Sequence, residues 1–554
     1  MEEGARSQPT AGGHDSCTGI EFGQLPWARP LAAEYARNFA QVAPLYAGDP
    51  AKPDAWRAAI TRAQQHPRQR EAIVEVLLAQ QARRGAAGAA QDAARLLKDP
   101  DSIAVVTGQQ AGAFGGPLFT LLKAITAIQL ARRTAAEHGV PAAAIFWVDA
   151  EDHDWEEVQT STVLDANLRP RDIVLPEFEG AGKLPIALLN IDDRISTAID
   201  ELHQVLAPSD FTSWVVEGAR AAWRPGVGMA DAFAIWLEGL LAPHGLVVFD
   251  SSDPAAKPFV ADLFAREIQF PGRTAALAIE AGQLLASRGH QPQVVPQPDS
   301  LALFRLDGTR TPVRRRGDDL VVGDEVYTTA ALAAEAVEQP EHFSPNVLLR
   351  PVVQDALFPT ICYVAGPSEL AYLGQLRGVY EHFGVPMPLM YPRASATLVD
   401  SATRRFLAKY NIHIEDLRQQ DEAALNRLLE SQLPPAVDEA LAEADAALRR
   451  TLERIIEVVP AVDPTLAGAA KTTMGKVEHD LRSLHGKVIQ AAKKKDETLR
   501  RQFVRAQSQI FPTGHPQERT LSVVFFLNRY GPALVDRLLE ELPLEMGSHW
   551  LITI

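Results

Sequence analysis

Between Ile103 and Asp154 the chain passes from a β-branched run to helical spacing and back, and this alternation restricts its fold more than any other feature. Ile103 to Val106 is apolar. Gly108, Gly112, Gly115 and Gly116 break the run, and Leu118, Leu121, Leu122, Ile125 and Ile128 then recur on one helical face. A second apolar run, Ala143 to Val148, ends in Asp149, Glu151, Asp152, His153 and Asp154. The pattern reads strand, turn, helix, strand. With parallel neighbouring strands and a right-handed crossover, a turn at Thr107–Gln110 and the acidic cluster share the carboxyl edge of the sheet. Open α/β folds take their ligands at that edge. An α/β fold is expected, with half of an active site in this one unit.

At 554 residues the chain exceeds what one hydrophobic core supports, so at least two structural units are expected. Its formal net charge of -16 argues against a nucleic-acid surface, which needs clustered Lys and Arg. Cys17 and Cys362 are too few for a disulfide framework and form no CxxC pair, which fits a reducing cytoplasm. No apolar run approaches the roughly 20 residues that span a bilayer. The first residues lack the basic start and apolar core of a signal peptide. Residues 1–19, polar and rich in Gly and Ser, read as a mobile tail that contains Cys17.

The first part of the core is expected over 20–164. A mixed segment, 165–244, includes an extended run at Ala187–Ile191 and an amphipathic one at Met229–Ala242, and reads as an insertion. The core resumes over 245–271, where a short strand ends in Asp250, with Asp253 as N-cap and Pro254 at the first helical position. DG and GDD turn signals among β-prone pieces make 272–343 a second, small β-rich insertion. The second part of the core, 344–435, offers strands at Asn346–Val353 and Thr360–Gly366. A helix then starts at Pro367 or Ser368, with Leu370, Leu373, Leu376, Val379 and Phe383 on one face. Over 436–511, Leu441, Leu448 and Ile455 repeat every seven residues and Pro460–Pro464 reverses the chain. Met474, Leu481 and Val488 then interleave with Val477, Leu484 and Ala491. This predicts an antiparallel coiled-coil arm able to support a homodimer. Residues 512–554 are expected to pack back on the core.

The blocks TGQQAG from Thr107, GPLFTLLKAI from Gly116, FWVDAEDHDWEEV from Phe146 and FSPNVLLRPVVQDALFPTICYVAGPSELAYLGQL from Phe343 carry a family likeness. PRAS at Pro392–Ser395 and FFLNRYGPALVDRLL from Phe525 extend it. In order and over most of the chain they closely resemble the BshC family, the cysteine-adding enzymes of bacillithiol biosynthesis. The resemblance implies a Rossmann-like core with inserted connecting segments and a coiled-coil domain. It also implies a ligase step that joins the carboxyl group of cysteine to the amine of glucosaminyl malate.

Amide formation from a free carboxylate needs activation, because the carboxylate is a poor electrophile and hydroxide a poor leaving group. ATP with Mg2+ is a candidate source, and it calls for backbone amides or basic groups at the transferring phosphate. Thr107, Gly108, Gln109, Gln110 and Gly112 offer such a turn before a helix that carries Lys123, although GxxxxGK[ST] is absent there, as are HxGH and KMSKS. In the acidic cluster His153 offers a base with an unperturbed pKa of about 6.5. Asp152 and Asp154 share one side of an extended loop and Glu151 and His153 the other. Asp152 or Asp154 suits Mg2+ beside ATP phosphates, whereas no second His or Cys stands at helical spacing for zinc. A third group comprises Arg350, Gln354, Asp355, Tyr363, Gly366, Ser368, Glu369 and Tyr372, with Arg393 downstream. An arginine among them suits the malate carboxylates in bidentate fashion. Cys362, inside an apolar strand, reads as core packing rather than a nucleophile. His153, Asp152, Asp154 and Lys123 are thus the catalytic candidates, and the others bind substrate or nucleotide. Two further functions stay open: a nucleotide-dependent ligase or transferase for another amino acid or amine, and a non-catalytic assembly protein that docks through the arm.

Overall fold

Five apolar runs form one parallel sheet: β1 (Ile103–Gln110), β2 (Ala142–Asp149), β3 (Leu246–Asp250), β4 (Thr360–Ala365) and β5 (Leu389–Pro392). This computed structural model describes residues 17–554 except Ala87, Leu433, Pro434 and Asp496. The strands lie in the order β5-β4-β1-β2-β3, with Val106 of β1 beside Ile145 of β2 and Tyr363 of β4. Ile103 and Val105 enter one hydrophobic cluster and Ala104 and Val106 another, so both faces of the sheet are covered. Continuous apolar strands are what a doubly covered parallel sheet requires. The helix Leu118–His138 joins β1 to β2 and packs on both, and the helix Met229–Leu241 covers β3. Strand order runs outward from β1 to β3 and then restarts on the other side with β4, so it reverses between β1 and β4. A crevice opens at the carboxyl ends of strands at such a reversal.

Several expected elements take a different form. Strand β1 continues through Gln110, so Thr107–Gln110 is a strand end and not a turn. The glycine-rich turn proper is Ala111–Pro117. Gly115 has φ of +92°, and a Cβ there would lie 2.6 Å from the Trp236 indole nitrogen. The expected strand at Asn346–Val353 is a turn followed by the helix Arg350–Leu357. The Asn346 side chain accepts the Leu348 N–H, and Leu349, Val352, Val353 and Leu357 fall at helical spacing on a buried face. The helix after β4 is broken into Glu369–Leu373 and Arg377–Phe383. The Tyr46 hydroxyl inserts there, donating to Leu370 O at 2.8 Å, in space that a side chain on Gly374 would fill.

The first insertion begins before residue 165, in the hairpin Thr160–Leu164 and Pro170–Val174. The second opens with the helix Arg273–Ser287 and carries another, Thr329–Glu338, beside a five-stranded antiparallel sheet. Residues 1–16 of the expected tail lie outside the described residues. Cys17–Gly19 are not tail but the start of the strand Cys17–Glu21, which pairs with Ser548–Thr553. Among the described residues no helix is long and apolar enough to cross a membrane.

Contacts divide the chain into two units, one running to Leu398 with Gln517–Ile554 added, the other Val399–Pro516. The second contains the expected helical hairpin, Pro435–Val458 and Leu466–Lys495, joined through Pro460–Pro464, with Arg449 bonded to Glu478 at 3.3 Å across it. Its seam differs from the expected heptads. Leu441, Leu452 and Ile456 on one helix and Met474, Val477, Leu481 and Val488 on the other are half-buried, while Leu448, Ile455, Leu484 and Ala491 are exposed. A strict heptad drifts by about 20° per repeat on a straight helix, which carries Ile455 off the contact face.

In the first unit the C-terminal segment is locked to the core by a buried ion pair. Arg393 donates two hydrogen bonds to Glu518 at 2.8 and 2.9 Å, and the same carboxylate accepts from the Ser395 hydroxyl and the Ala396 N–H. His549 joins Ser395 and Thr397 at 2.7 and 2.8 Å. This Ser–His–Glu set is sealed from solvent, and its role is structural. Burial alone would raise the Glu518 carboxyl, but Arg393 holds it down at about 2. Glu518→Gln is therefore expected to cost about 3–5 kcal/mol in urea unfolding near neutral pH, because it strands a buried guanidinium. The stabilisation from this carboxyl is complete above its unfolded pKa of about 4.3. It is lost as pH falls toward about 2. A cost below about 1 kcal/mol would contradict the structural role.

Candidate active site

The crevice at the reversal of strand order is a cavity of about 480 Å³. Gly108, Gln109 and Gln110 end β1, Asp149 ends β2, and Asp152 and Glu157 follow it. Glu369 and Tyr372 follow β4, and Arg350 starts its own helix. Phe304, Arg310 and Pro345 come from the antiparallel insertion, with Asn346 and Val347 next to them. Of the stretches singled out in the sequence, the end of β1, Asp152 of the acidic cluster and Glu369 line it together.

Charges in this cavity are held in pairs. Arg350 donates to Asp149 at 2.7 Å and reaches the Tyr372 hydroxyl at 3.4 Å. Burial alone would lower the Arg350 pKa, but Asp149 and the neighbouring Tyr372, Tyr363 and Glu369 raise it, so the guanidinium stays charged. Gln110 donates to Asp152 at 2.7 Å, and Arg310 stands 3.5 Å from the same carboxylate. Against the upward push of burial, Gln110, Arg310 and the His153 N–H lower the Asp152 pKa. Glu157 moves the other way: burial raises it, and Asp154, Asp152 and Asp149 add to the rise.

Lys123 lies beneath this floor, 1% exposed. Its ammonium donates to Gly108 O at 2.8 Å and Gln109 Oε1 at 3.1 Å, and pairs with Glu369 at 2.9 Å. Burial lowers its pKa, and Glu369 opposes that shift. Lys123, expected from the sequence as a catalytic group, thus lies under the residues that line the cavity and is not itself among them. His153 is half-exposed, with Nδ1 3.5 Å from Asp152 Oδ1. It lines an adjoining depression of about 490 Å³ that shares Asp152 with the main cavity. Asp154 lines that depression too and caps the short helix Trp155–Val158, accepting from the Glu157 N–H.

Other expected site residues do not reach the cavity. Thr107 is buried and donates to Val364 O, tying β1 to β4. Glu151 is buried against Lys257, which also donates to Phe343 O. Gln354 bonds Asp355, whose carboxyl burial pushes up to about 6 and which accepts from the Tyr380 hydroxyl within the core. Tyr363 is buried and hydrogen-bonded to Tyr372. Gly366 donates its N–H to Glu369, and Ser368 faces a separate depression with Arg29 and His290. Arg393 belongs to the Glu518 lock, so it clamps no substrate. Conversely, Asp149, Glu157, Phe304 and Arg310 were not singled out as site residues. Asp149 was legible as the polar end of an apolar strand; Phe304 and Arg310 come from a distant insertion.

Gly112 lies in the Ala111–Pro117 turn, which the C-terminal segment closes. Leu118, first residue of the long helix, donates its N–H to Leu521 O at 2.9 Å, and Val523 N–H donates to Gly116 O at 3.0 Å. Pro117 and Ser522 form a β-bridge, and Ala111, Ala113 and Phe114 are fully buried. The turn does not fit a nucleotide phosphate. Among the described residues no three His, Cys, Asp or Glu side chains converge as a metal-ligand set, and Asp149 and Asp152 each face an arginine. Lys123→Met, which leaves three acceptors without their cation, is expected to lower stability by about 1.5–3 kcal/mol. Denaturant unfolding checks this, and unchanged stability would show that the buried ammonium holds nothing.

Comparison with known proteins agrees with this architecture. The family described as "Bacillithiol biosynthesis BshC, N-terminal Rossmann-like domain" matches residues 17–394, and "Bacillithiol biosynthesis BshC, C-terminal coiled-coil domain" matches 396–554. A Salinibacter ruber protein named "Putative cysteine ligase BshC" is 37% identical over 95% of this chain and 96% of its own length. Proteins of the same name from Symbiobacterium thermophilum and Koribacter versatilis are 35% and 33% identical, over 93% and 94% of this chain and 96% and 97% of their own. With both domains matched end to end and full-length relatives above 30% identity, the chain belongs to the bacillithiol biosynthesis BshC family.

Proposed function

We propose that the protein is a cytoplasmic ligase that joins the carboxyl group of L-cysteine to the amine of glucosaminyl malate, the last step of bacillithiol biosynthesis. The relatives' name supports the cysteine and the ligase chemistry. The observation that carries the reading is the cavity at the strand reversal, where arginines and carboxylates face one space. An acceptor amine enters as an ammonium and must lose a proton before its lone pair can attack the cysteine carbonyl carbon. Asp152, kept ionised, attracts the ammonium, and His153 beside it receives the proton. With the cysteine carboxyl carried as an acyl phosphate or acyl adenylate, the new C–N bond forms as the C–O bond to that phosphate breaks, and phosphate or AMP leaves with the bonding electrons.

Purified protein incubated with cysteine and glucosaminyl malate, with and without ATP and Mg2+, tests this by mass spectrometry of the thiol product and the nucleotides. His153→Ala is expected to slow product formation by roughly 10²–10⁴-fold. Its melting temperature should not change, because the side chain is half-exposed. Full activity in that variant would remove His153 as the base. Product from another amine and none from glucosaminyl malate would favour a different ligase.

The arm belongs to the same reading as a homodimer contact, since Leu448, Ile455, Val458 and Leu484 stay exposed on its helices. Light scattering should give the mass of two chains, and Leu448→Glu combined with Leu484→Glu the mass of one. A single-chain mass for the unaltered protein would contradict the dimer.

A further inference from the structure

We infer that Arg310 selects the acceptor substrate by binding the carboxylates of its malyl group, an assignment that rests on the ligase reading above. Arg310 opens a strand of the antiparallel insertion, just after the Asp307–Thr309 turn, and lines the cavity next to Asp152, the carboxylate that Gln110 at the end of β1 also bonds. Its guanidinium carbon lies 4.0 Å from the centre of the Phe304 ring. One terminal nitrogen donates to Pro345 O at 3.0 Å and another stands 3.5 Å from Asp152 Oδ1, beyond good hydrogen-bonding distance. Nε is buried with no hydrogen-bond partner. The side chain is 10% exposed. Arg350, in contrast, is matched by Asp149 at 2.7 Å, and Arg393 by both oxygens of Glu518. Arg310 is therefore the cation in this cavity whose donors are least satisfied by the protein. A guanidinium held over an aromatic ring keeps its N–H donors for a planar partner, and its fork suits a carboxylate.

The remaining charges decide which carboxylate binds there. Asp149 is matched by Arg350 and Glu369 by Lys123, which leaves Asp152, bonded by the neutral Gln110, for an ammonium and Arg310, carried by the insertion, for an anion. A ligand with an amine at one end and carboxylates at the other matches that division. The carboxyl group of cysteine is the reacting group and must stand at the acceptor amine. The carboxylates left for Arg310 are those of the malyl group.

Calorimetric titration of glucosaminyl malate and of methyl glucosaminide, which keeps the amine but lacks the malyl group, tests the assignment on the full chain. The unaltered protein should prefer glucosaminyl malate. Arg310→Gln should weaken it by roughly 10–100-fold, the range for a charge-assisted hydrogen-bonded pair, and leave methyl glucosaminide unchanged. Arg310→Lys should restore part of the loss, because an ammonium keeps the charge without the fork. Equal affinity of Arg310→Gln and unaltered protein for glucosaminyl malate would overturn the inference, as would a parallel loss of both ligands with a lowered melting temperature. No binding of glucosaminyl malate to the unaltered protein would reject the ligase reading and this assignment together.

Discussion

One buried ammonium joins the two strand ends between which the cavity opens. Lys123 bonds Gly108 O and Gln109 at the end of β1 and Glu369 just past the end of β4, on either side of the reversal in strand order. Burying a lysine is costly unless its donors are met, and here three acceptors meet them. The carboxylate of Glu369 in turn accepts the Gly366 N–H, which fixes the loop that leaves β4. The groups that line the floor thus hold their places before any ligand arrives. Preorganisation of this kind limits the rearrangement needed when charge develops in a reaction.

The walls are completed from elsewhere in the chain. The β-rich insertion adds Phe304, Arg310 and Pro345 to a floor built by the parallel sheet. The C-terminal segment seals the glycine-rich turn through Leu521 and Val523, and it is itself locked by Arg393 and Glu518. A turn that in other α/β proteins faces ligand is here an internal joint. The cavity opens instead at the strand ends, where Asp149, Asp152 and Arg350 stand.

How much of this could be read from the sequence depends on how local each feature is. The β1–helix–β2 unit was legible because apolar period and glycine placement are set by neighbours in the chain. Asp253 as N-cap and Pro254 at the first helical position were legible for the same reason. The stretch Asn346–Val353 misled, since five apolar residues around an Arg-Pro pair suit a strand or a buried helix equally until Asn346 caps the turn. Arg393 misled because nothing near it in sequence announces Glu518, 125 residues away. Arg310 was invisible as a site residue: its place depends on how an insertion folds over the sheet edge. The heptads of the arm were legible as helices, but their contact face was set by the straight-helix drift that moves Ile455 into solvent.

The most direct test of the account is a crystal structure of the protein soaked with glucosaminyl malate. The ligand is expected between the ends of β1 and β4, its amine within hydrogen-bond reach of Asp152 and its malyl carboxylates on Arg310. Density at the Ala111–Pro117 turn instead, or in the depression beside Arg29 and His290 with the main cavity empty, would contradict it.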